Sequence, residues 1–313
     1  MKNYTVRKYK SQDFDSWNTF IADAKNATFL FHRNFMEYHA DRFKDFSLMV
    51  FDDGKLVAVL PANRVADEVL SHQGLTYGGL VLDKKVIGHE AALILENILI
   101  FLRQCNIKKI IIKPIISIYH QYPAYETECF LIQKGAHLYR KDLNLAIDFS
   151  KAFESSKSKR KHYRKVSLDL DIKEETVFET FWDRVLEPRL LEKHNTKPVH
   201  SKEEMAYLHS KFPENIIQVN AYYKEDIIAG VTLFKFKNGI KSQYGATTKM
   251  GEKLRALDFL FLNLIDNYKD KLDFFDMGTV TENAGRSYNE GLLKQKQELG
   301  CAIYPQDFYA LEL

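Results

Sequence analysis

Leu272-Asp273-Phe274-Phe275-Asp276-Met277-Gly278 is a short apolar run that ends on a glycine. Such a run reads as a buried strand stopped by a turn. A polar loop follows, Thr279-Val280-Thr281-Glu282-Asn283-Ala284-Gly285-Arg286. Residues 287–300 then read as a short helix that carries Lys294 and Lys296 and stops at Gly300. Residues 302–313 read as one final strand. A long polar loop after the end of a buried strand is where sites tend to be built, because a rigid element positions a solvent-accessible segment.

Upstream of this stretch the same order of elements occurs twice. In the second half, residues 216–223 and 227–236 flank Lys224-Glu225-Asp226 as a hairpin; residues 240–246 are a third strand and residues 253–268 a helix. In the first half, residues 46–51 and 56–63 flank Asp52-Asp53-Gly54-Lys55, a strong hairpin turn. Later come a helix over 89–105 and a buried strand over 109–114. Residues 138–149 read as one extended segment leading out of this half. The repeat implies two α/β units, with boundaries at 1–150 and 151–302 and with residues 303–313 free to join the first unit.

The chain has 313 residues, enough for two domains of about 150 residues. Its 13% aromatic content argues against disorder. A net charge of +3 gives no case for DNA as a partner. Cys105, Cys129 and Cys301 have no metal-ligand spacing, so no metal is expected and reduced thiols are the plain reading. The first eight residues carry no apolar signal core, and the apolar helix over 91–102 is too short to span a bilayer. A cytoplasmic protein with no transmembrane segment is the expectation.

Asp276 and Gly278, followed by Asn289, Gly291, Leu292, Lys296 and Gly300, resemble the C-terminal signature of the FemAB/FemX-like acyltransferases. Gln295 stands where that family has an aromatic residue before its lysine. Three further stretches are similar to elements of the family. They are His72-Gln73-Gly74-Leu75-Thr76-Tyr77-Gly78-Gly79-Leu80, the basic run Lys159-Arg160-Lys161-His162-Tyr163-Arg164-Lys165, and residues 244–256. The resemblance implies an α/β fold of two GNAT-like units in tandem, each a mixed sheet with flanking helices. It also implies an acyltransferase that forms an amide on an amine-bearing small molecule, an amino sugar or a cell-envelope precursor. The donor would be an acyl-CoA or an aminoacyl-tRNA, with no permanently bound cofactor. The long helical arm of the tRNA-using branch is absent between 176 and 212, which favours acyl-CoA and leaves tRNA open.

No Gly-x-Ser-x-Gly elbow and no Cys/His pairing is present, so direct attack by the acceptor amine fits better than an acyl-enzyme. Lys296 is the expected oxyanion or phosphate contact, with a plain surface lysine as the alternative. Glu282, Asp276 and His72 are the candidate bases. Asp276 can instead cap a turn, and Glu282 can simply be solvated. Tyr77, Arg286 and Asn289, together with Lys159, Arg160 and Arg164, are candidates to hold the acceptor; a solvated linker is the other reading of the basic run. Lys249, Gly251, Lys253 and Arg255 lie where the donor phosphates would sit, although an ordinary loop with a basic helix start reads the same. A non-catalytic module of the same fold, binding a nucleotide-linked ligand or a protein partner, is the competing expectation.

Overall fold

The computed structural model describes residues 4–166 and 169–313. Met1, Lys2 and Asn3, where the first domain is expected to begin, lie outside them, as do Ser167 and Leu168. The chain forms two compact units. The first runs to Asp142 and takes in Pro305–Leu313; the second is Leu143–Tyr304.

The first unit contains β1 (Tyr4–Lys8), β2 (Leu48–Asp52), β3 (Lys55–Leu60), β4 (Asn63–Val65), β5 (Glu68–Leu70), β6 (Val81–Leu82), β7 (Lys109–Ile112) and β8 (His137–Asp142). A C-terminal strand, Gln306–Glu312, joins them. Its helices are α1 (Phe14–Asp23), α2 (Arg33–Glu37), α3 (Gly88–Gln104) and α4 (Glu126–Gln133). One sheet has the order β1-β2-β3-β6; the other has β4-β5-β7, then the C-terminal strand, then β8. The β2–β3 hairpin turns through Asp53 and Gly54, both at positive φ, which matches the twist of the strands it joins. Helix α3 buries Ala91, Ile94, Leu95, Ile98, Leu99 and Leu102. That spacing puts one apolar face on the core, where it packs with Leu48, Val50, Leu60 and Ile110.

The second unit contains β9 (Asn144–Asp148), β10 (Leu170–Glu175), β11 (Ile216–Tyr223), β12 (Asp226–Lys235), β13 (Gly239–Thr247), β14 (Phe274–Thr279), β15 (Thr281–Glu282), β16 (Ser287–Tyr288) and β17 (Ala302–Ile303). Its helices are α5 (Lys157–Val166), α6 (Glu179–Phe181), α7 (Glu187–His194), α8 (Lys202–Lys211), α9 (Lys249–Leu254), α10 (Ala256–Tyr268) and α11 (Glu290–Glu298). Residues Trp182–Leu186 are a π-helical turn between α6 and α7. A seven-stranded sheet has the order β10-β11-β12-β13-β14-β9-β17, and β15 pairs with β16 as a separate hairpin. Phe259, Leu260, Leu264 and Ile265 of α10 cover this sheet against Val231, Leu233, Ile240 and Phe275.

Four local expectations change. Residues 138–149 are two strands: Leu143 leaves the ladder because its N–H bonds the Thr281 hydroxyl at 2.6 Å and its carbonyl takes the Val280 N–H at 3.0 Å. Residues 302–313 are also two strands, separated at Pro305, which has no N–H to offer a ladder. The two pieces pair in different sheets, β17 with β9 and the C-terminal strand with β7 and β8. The helix over 253–268 breaks at Arg255, whose φ of 51° is left-handed. The basic run read as linker or helix face is the helix α5.

The C-terminal strand is interior to its sheet and buries Phe308, Tyr309, Ala310 and Leu311. Tyr309 and Leu311 alone contribute roughly 3–6 kcal/mol of burial. A chain ending at Tyr304 is expected to lose the protease resistance of the first unit, read by limited proteolysis with mass spectrometry. Fragments of the first unit as long-lived as those of the full chain would show that the strand is dispensable.

Candidate active site

Strands β13 and β14 run parallel but pair at only three positions, Gly239↔Phe274, Ile240↔Phe275 and Lys241↔Asp276. Beyond that pair the strands part, each bent by an irregularity on its outer side. The β12–β13 register jumps from Thr232↔Tyr244 to Leu233↔Ser242, so Gln243 is an extra residue in β13. The β14–β9 register slips between Asp276 and Thr279, and Gly278 adopts φ +78° there. Bulges of this kind raise twist and turn a strand away from its neighbour. Among the described residues, β13 has no strand beside it on the β14 side from Ser242 to Thr247.

The first unit treats the matching edge differently. There β6 pairs with β3 on one side. On the other, the Asn26 side chain donates to the Leu80 carbonyl (2.8 Å) and accepts the Leu82 N–H (3.0 Å), and Lys25 N–H bonds the Leu82 carbonyl at 3.0 Å. That edge is filled by the protein's own chain.

The base of the split in the second unit is polar and buried. Asp276 is fully buried, and its Oδ1 accepts Asn144 Nδ2 at 2.9 Å and the Gly278 N–H at 2.6 Å. Lys296 is only 8% exposed, which removes the surface-lysine reading. Its ammonium donates to the carbonyls of Gly278 (3.0 Å) and Thr279 (3.1 Å). Burial, reinforced by repulsion from Lys241 and opposed by Asp276, brings the Lys296 pKa down to about 8. Cys301 is buried beside Met277, and burial pushes its thiol up. Just past the Gln243 bulge, Tyr244 places its hydroxyl 2.6 Å from His200 Nδ1 and accepts the His200 N–H at 3.1 Å. Burial pushes Tyr244 up to about 12, so it stays neutral.

No family model and no curated protein sequence matches the chain. Solved structures do. FemX superposes with a TM-score of 0.68 at 10% identity, over 99% of this chain and 97% of that one. The chain carries the tandem GNAT fold of FemX. The L-PGS structure from Bacillus licheniformis gives 0.60 at 13% identity, covering 97% and 92% of the two chains. A tandem GNAT protein from the clavulanic acid biosynthesis pathway gives 0.54 at 11%, covering 99% and 98%.

Within this FemX-like fold the expected site residues fall into separate groups. Asp276 and Lys296 share the base of the split. Asn289 caps α11, accepting the Leu292 N–H at 2.9 Å while its Nδ2 donates to Glu282 at 3.1 Å. Glu282 and Arg286 are exposed on the β15–β16 hairpin. Lys159 and Arg255 meet on Asp258, at 2.5 and 3.0 Å, and Gln295 donates to the other carboxylate oxygen at 2.9 Å. Arg160 pairs with Asp266 at 2.7 Å, and both line an open groove of about 560 Å³ with Arg164 and Lys269. Lys249 is exposed and pairs with Glu192 of α7 at 2.7 Å, and Lys253 is exposed on α9. Gly251 lets α9 approach β12 closely, since a Cβ there would sit 2.2 Å from the Ile228 carbonyl. The Thr248 hydroxyl already accepts the Gly251 N–H at 3.1 Å.

His72 and Tyr77 belong to the first unit. His72 is buried against His39 with its Nδ1 accepting the Gly74 N–H at 3.2 Å, and burial holds its pKa down to about 3. Tyr77 is fully buried and donates to the Thr28 hydroxyl at 3.0 Å. Lys241, Asn144, Tyr244 and Asp258 were not singled out from the sequence. For Lys241 the available signal was a lysine inside an apolar strand. For Asp258 it was an acid opening an otherwise apolar helix.

Two measurements follow. In the window from about 8 to 10.5 the unfolded Lys296 amine keeps a proton that the folded one has shed. Unfolding then takes up a proton, so stability rises with pH across that window, by at most about 3 kcal/mol. Urea titrations of wild type and Lys296→Met between pH 7.5 and 10.5 should show the rise only in wild type. An equal rise in both would assign it elsewhere. Asp258→Ala leaves the Lys159 charge buried without its nearest partner and is expected to cost about 3–5 kcal/mol. Adding Lys159→Met should recover much of that loss in denaturant midpoint; strictly additive losses would reject the coupling.

Proposed function

We propose that the second unit is an N-acyltransferase that holds its acyl donor in the β13–β14 split. The observation that carries this reading is the unpaired β13 edge from Ser242 to Thr247, opening directly above buried Asp276 and Lys296. The corresponding edge of the first unit is filled by Asn26, which supports assigning the donor to the second unit alone. FemX, L-PGS and the clavulanic acid pathway protein share the fold, and acyl transfer comes to this chain by that likeness.

An acyl-CoA is the favoured donor, with an aminoacyl-tRNA as the other. An amine-bearing small molecule, amino sugar or cell-envelope precursor would be the acceptor. The amine nitrogen adds to the donor carbonyl carbon and a C–N bond forms. Collapse of the adduct breaks the C–S bond of the thioester, and the proton shed by nitrogen ends on the departing sulfur. Lys296 has three N–H donors, two of them bound to Gly278 and Thr279. The third is assigned to the carbonyl oxygen as it gains charge. The exposed hairpin residues Glu282 and Arg286 are left to the acceptor.

The commitment of Asp276, Asn289 and Lys159 to internal bonds favours the second reading, a binding module without turnover. Thiol release from acetyl-CoA and longer acyl-CoAs, with a panel of primary amines, separates the two, and aminoacyl-tRNA consumption tests the other donor. Lys296→Met is expected to lower turnover about a hundredfold. Because the protonated lysine is the donor, wild-type turnover should also decline as pH rises through about 8. Turnover unaffected by Lys296→Met would remove the lysine from the chemistry, and ligand binding without any turnover would support the module.

A further inference from the structure

Lys241 sits at the last pair shared by β13 and β14 and is 7% exposed. Among the described residues its ammonium makes one hydrogen bond, to the Ser242 carbonyl, at a long 3.5 Å. No carboxylate lies within ion-pair distance of it among those residues, although an ammonium brings three donors and a buried charge needs a partner. Gly278 separates it from Lys296. A Cβ built on Gly278 would lie 3.4 Å from Lys241 Nζ, whereas Lys296 Nζ bonds the carbonyl of the same residue at 3.0 Å. Both ammonium groups therefore lie against one residue that has no side chain to come between them. The buried carboxylate of the cluster, Asp276, has one oxygen engaged by Asn144 and the Gly278 N–H. Two cations against one carboxylate leave an excess positive charge at the closed end of the split.

We propose that Lys241 and Lys296 form a dicationic subsite at the base of the β13–β14 split that takes an oxyanion of the ligand. This rests on the reading that the ligand enters the split. The occupant is an anionic oxygen on carbon, either a carboxylate carried by the ligand or the carbonyl oxygen of the acyl group once the amine has added and the C=O electron pair has moved onto it. Gly278 is favoured there by its left-handed backbone, and it presents no side chain to the Lys241 ammonium. Lys241 also acts on Lys296, since its charge opposes protonation of the second amine.

The test uses the whole chain and simple anions. Sodium acetate and inorganic phosphate are titrated against sodium chloride at constant ionic strength, with binding read by calorimetry and melting temperature. Wild type is expected to bind acetate. Lys241→Met should weaken that binding at least tenfold, and Lys241→Gln should do the same if the methionine variant does not fold. In the variant the Lys296 titration, followed by ¹³Cε NMR of labelled lysine, should move to higher pH, because a repelling charge has gone. Equal acetate binding by wild type and variant would overturn the subsite, as would no acetate binding by wild type. A preference for phosphate over acetate would overturn the assignment to an oxygen on carbon. Loss of acetate binding in Lys241→Met, with no turnover on any acyl donor, would uphold the subsite and reject the acyl-transfer reading. With an active donor, a carbonyl-oxygen contact predicts a fall in kcat, and a ligand-carboxylate contact predicts a rise in KM for the ligand that carries it.

Discussion

The Lys296 ammonium holds the carbonyls of Gly278 and Thr279 at the point where β14 has left β13. Both carbonyls lie beyond the last pair that β14 makes with β13, and a buried carbonyl without a donor is costly. The lysine therefore satisfies the backbone that the split exposes, while α11, capped by Asn289, holds its stem in place. Asp276 does the same one turn of chain earlier, accepting the N–H of the glycine whose left-handed φ directs the strand away. The opening between the strands is thus a defect in a sheet whose loose ends are tied off by ionisable side chains.

That coupling explains how much of the molecule could be read from sequence. The strand–loop–helix order after Leu272 was legible because apolar runs and glycine stops are local signals. Residues 272–300 also contain both members of the Asp276–Lys296 pair. The breaks at Leu143 and Arg255 were not legible, because each depends on a distant partner or on a backbone angle that a non-glycine residue rarely adopts. Lys241 was missed for the same reason: its meaning comes from a parallel neighbour more than thirty residues away, Asp276. His72 and Tyr77 stood out as ring side chains among glycines, yet packing against His39 and Thr28 explains them without a ligand.

Gln295 is a departure from the FemX-like signature that the structure accounts for. A phenylalanine there could not donate a hydrogen bond to Asp258, whereas Gln295 does so at 2.9 Å. The same carboxylate takes Lys159 of α5 and Arg255 at the head of α10. Three helices are thereby fastened to one buried charge, and the carboxylate is held below its usual range, burial opposing its ionisation while Gln295 and Lys159 favour it.

The C-terminal strand places a constraint on how the chain is made. Tyr309 pairs with Ile112, and Phe308 with Arg140, across the whole of the second unit in sequence. On a ribosome, the first unit emerges with β7 and β8 already synthesised and the strand between them still 170 residues from completion (Asp142 to Glu312), a delay of roughly ten to thirty seconds at ordinary elongation rates. Throughout that interval the nascent first unit presents two open strand edges, the kind of surface that pairs with other chains. The second unit, complete by Tyr304, has no such wait. The order of maturation is therefore the reverse of the order of translation, and the first unit is the part of the nascent chain for which a holding chaperone has a substrate.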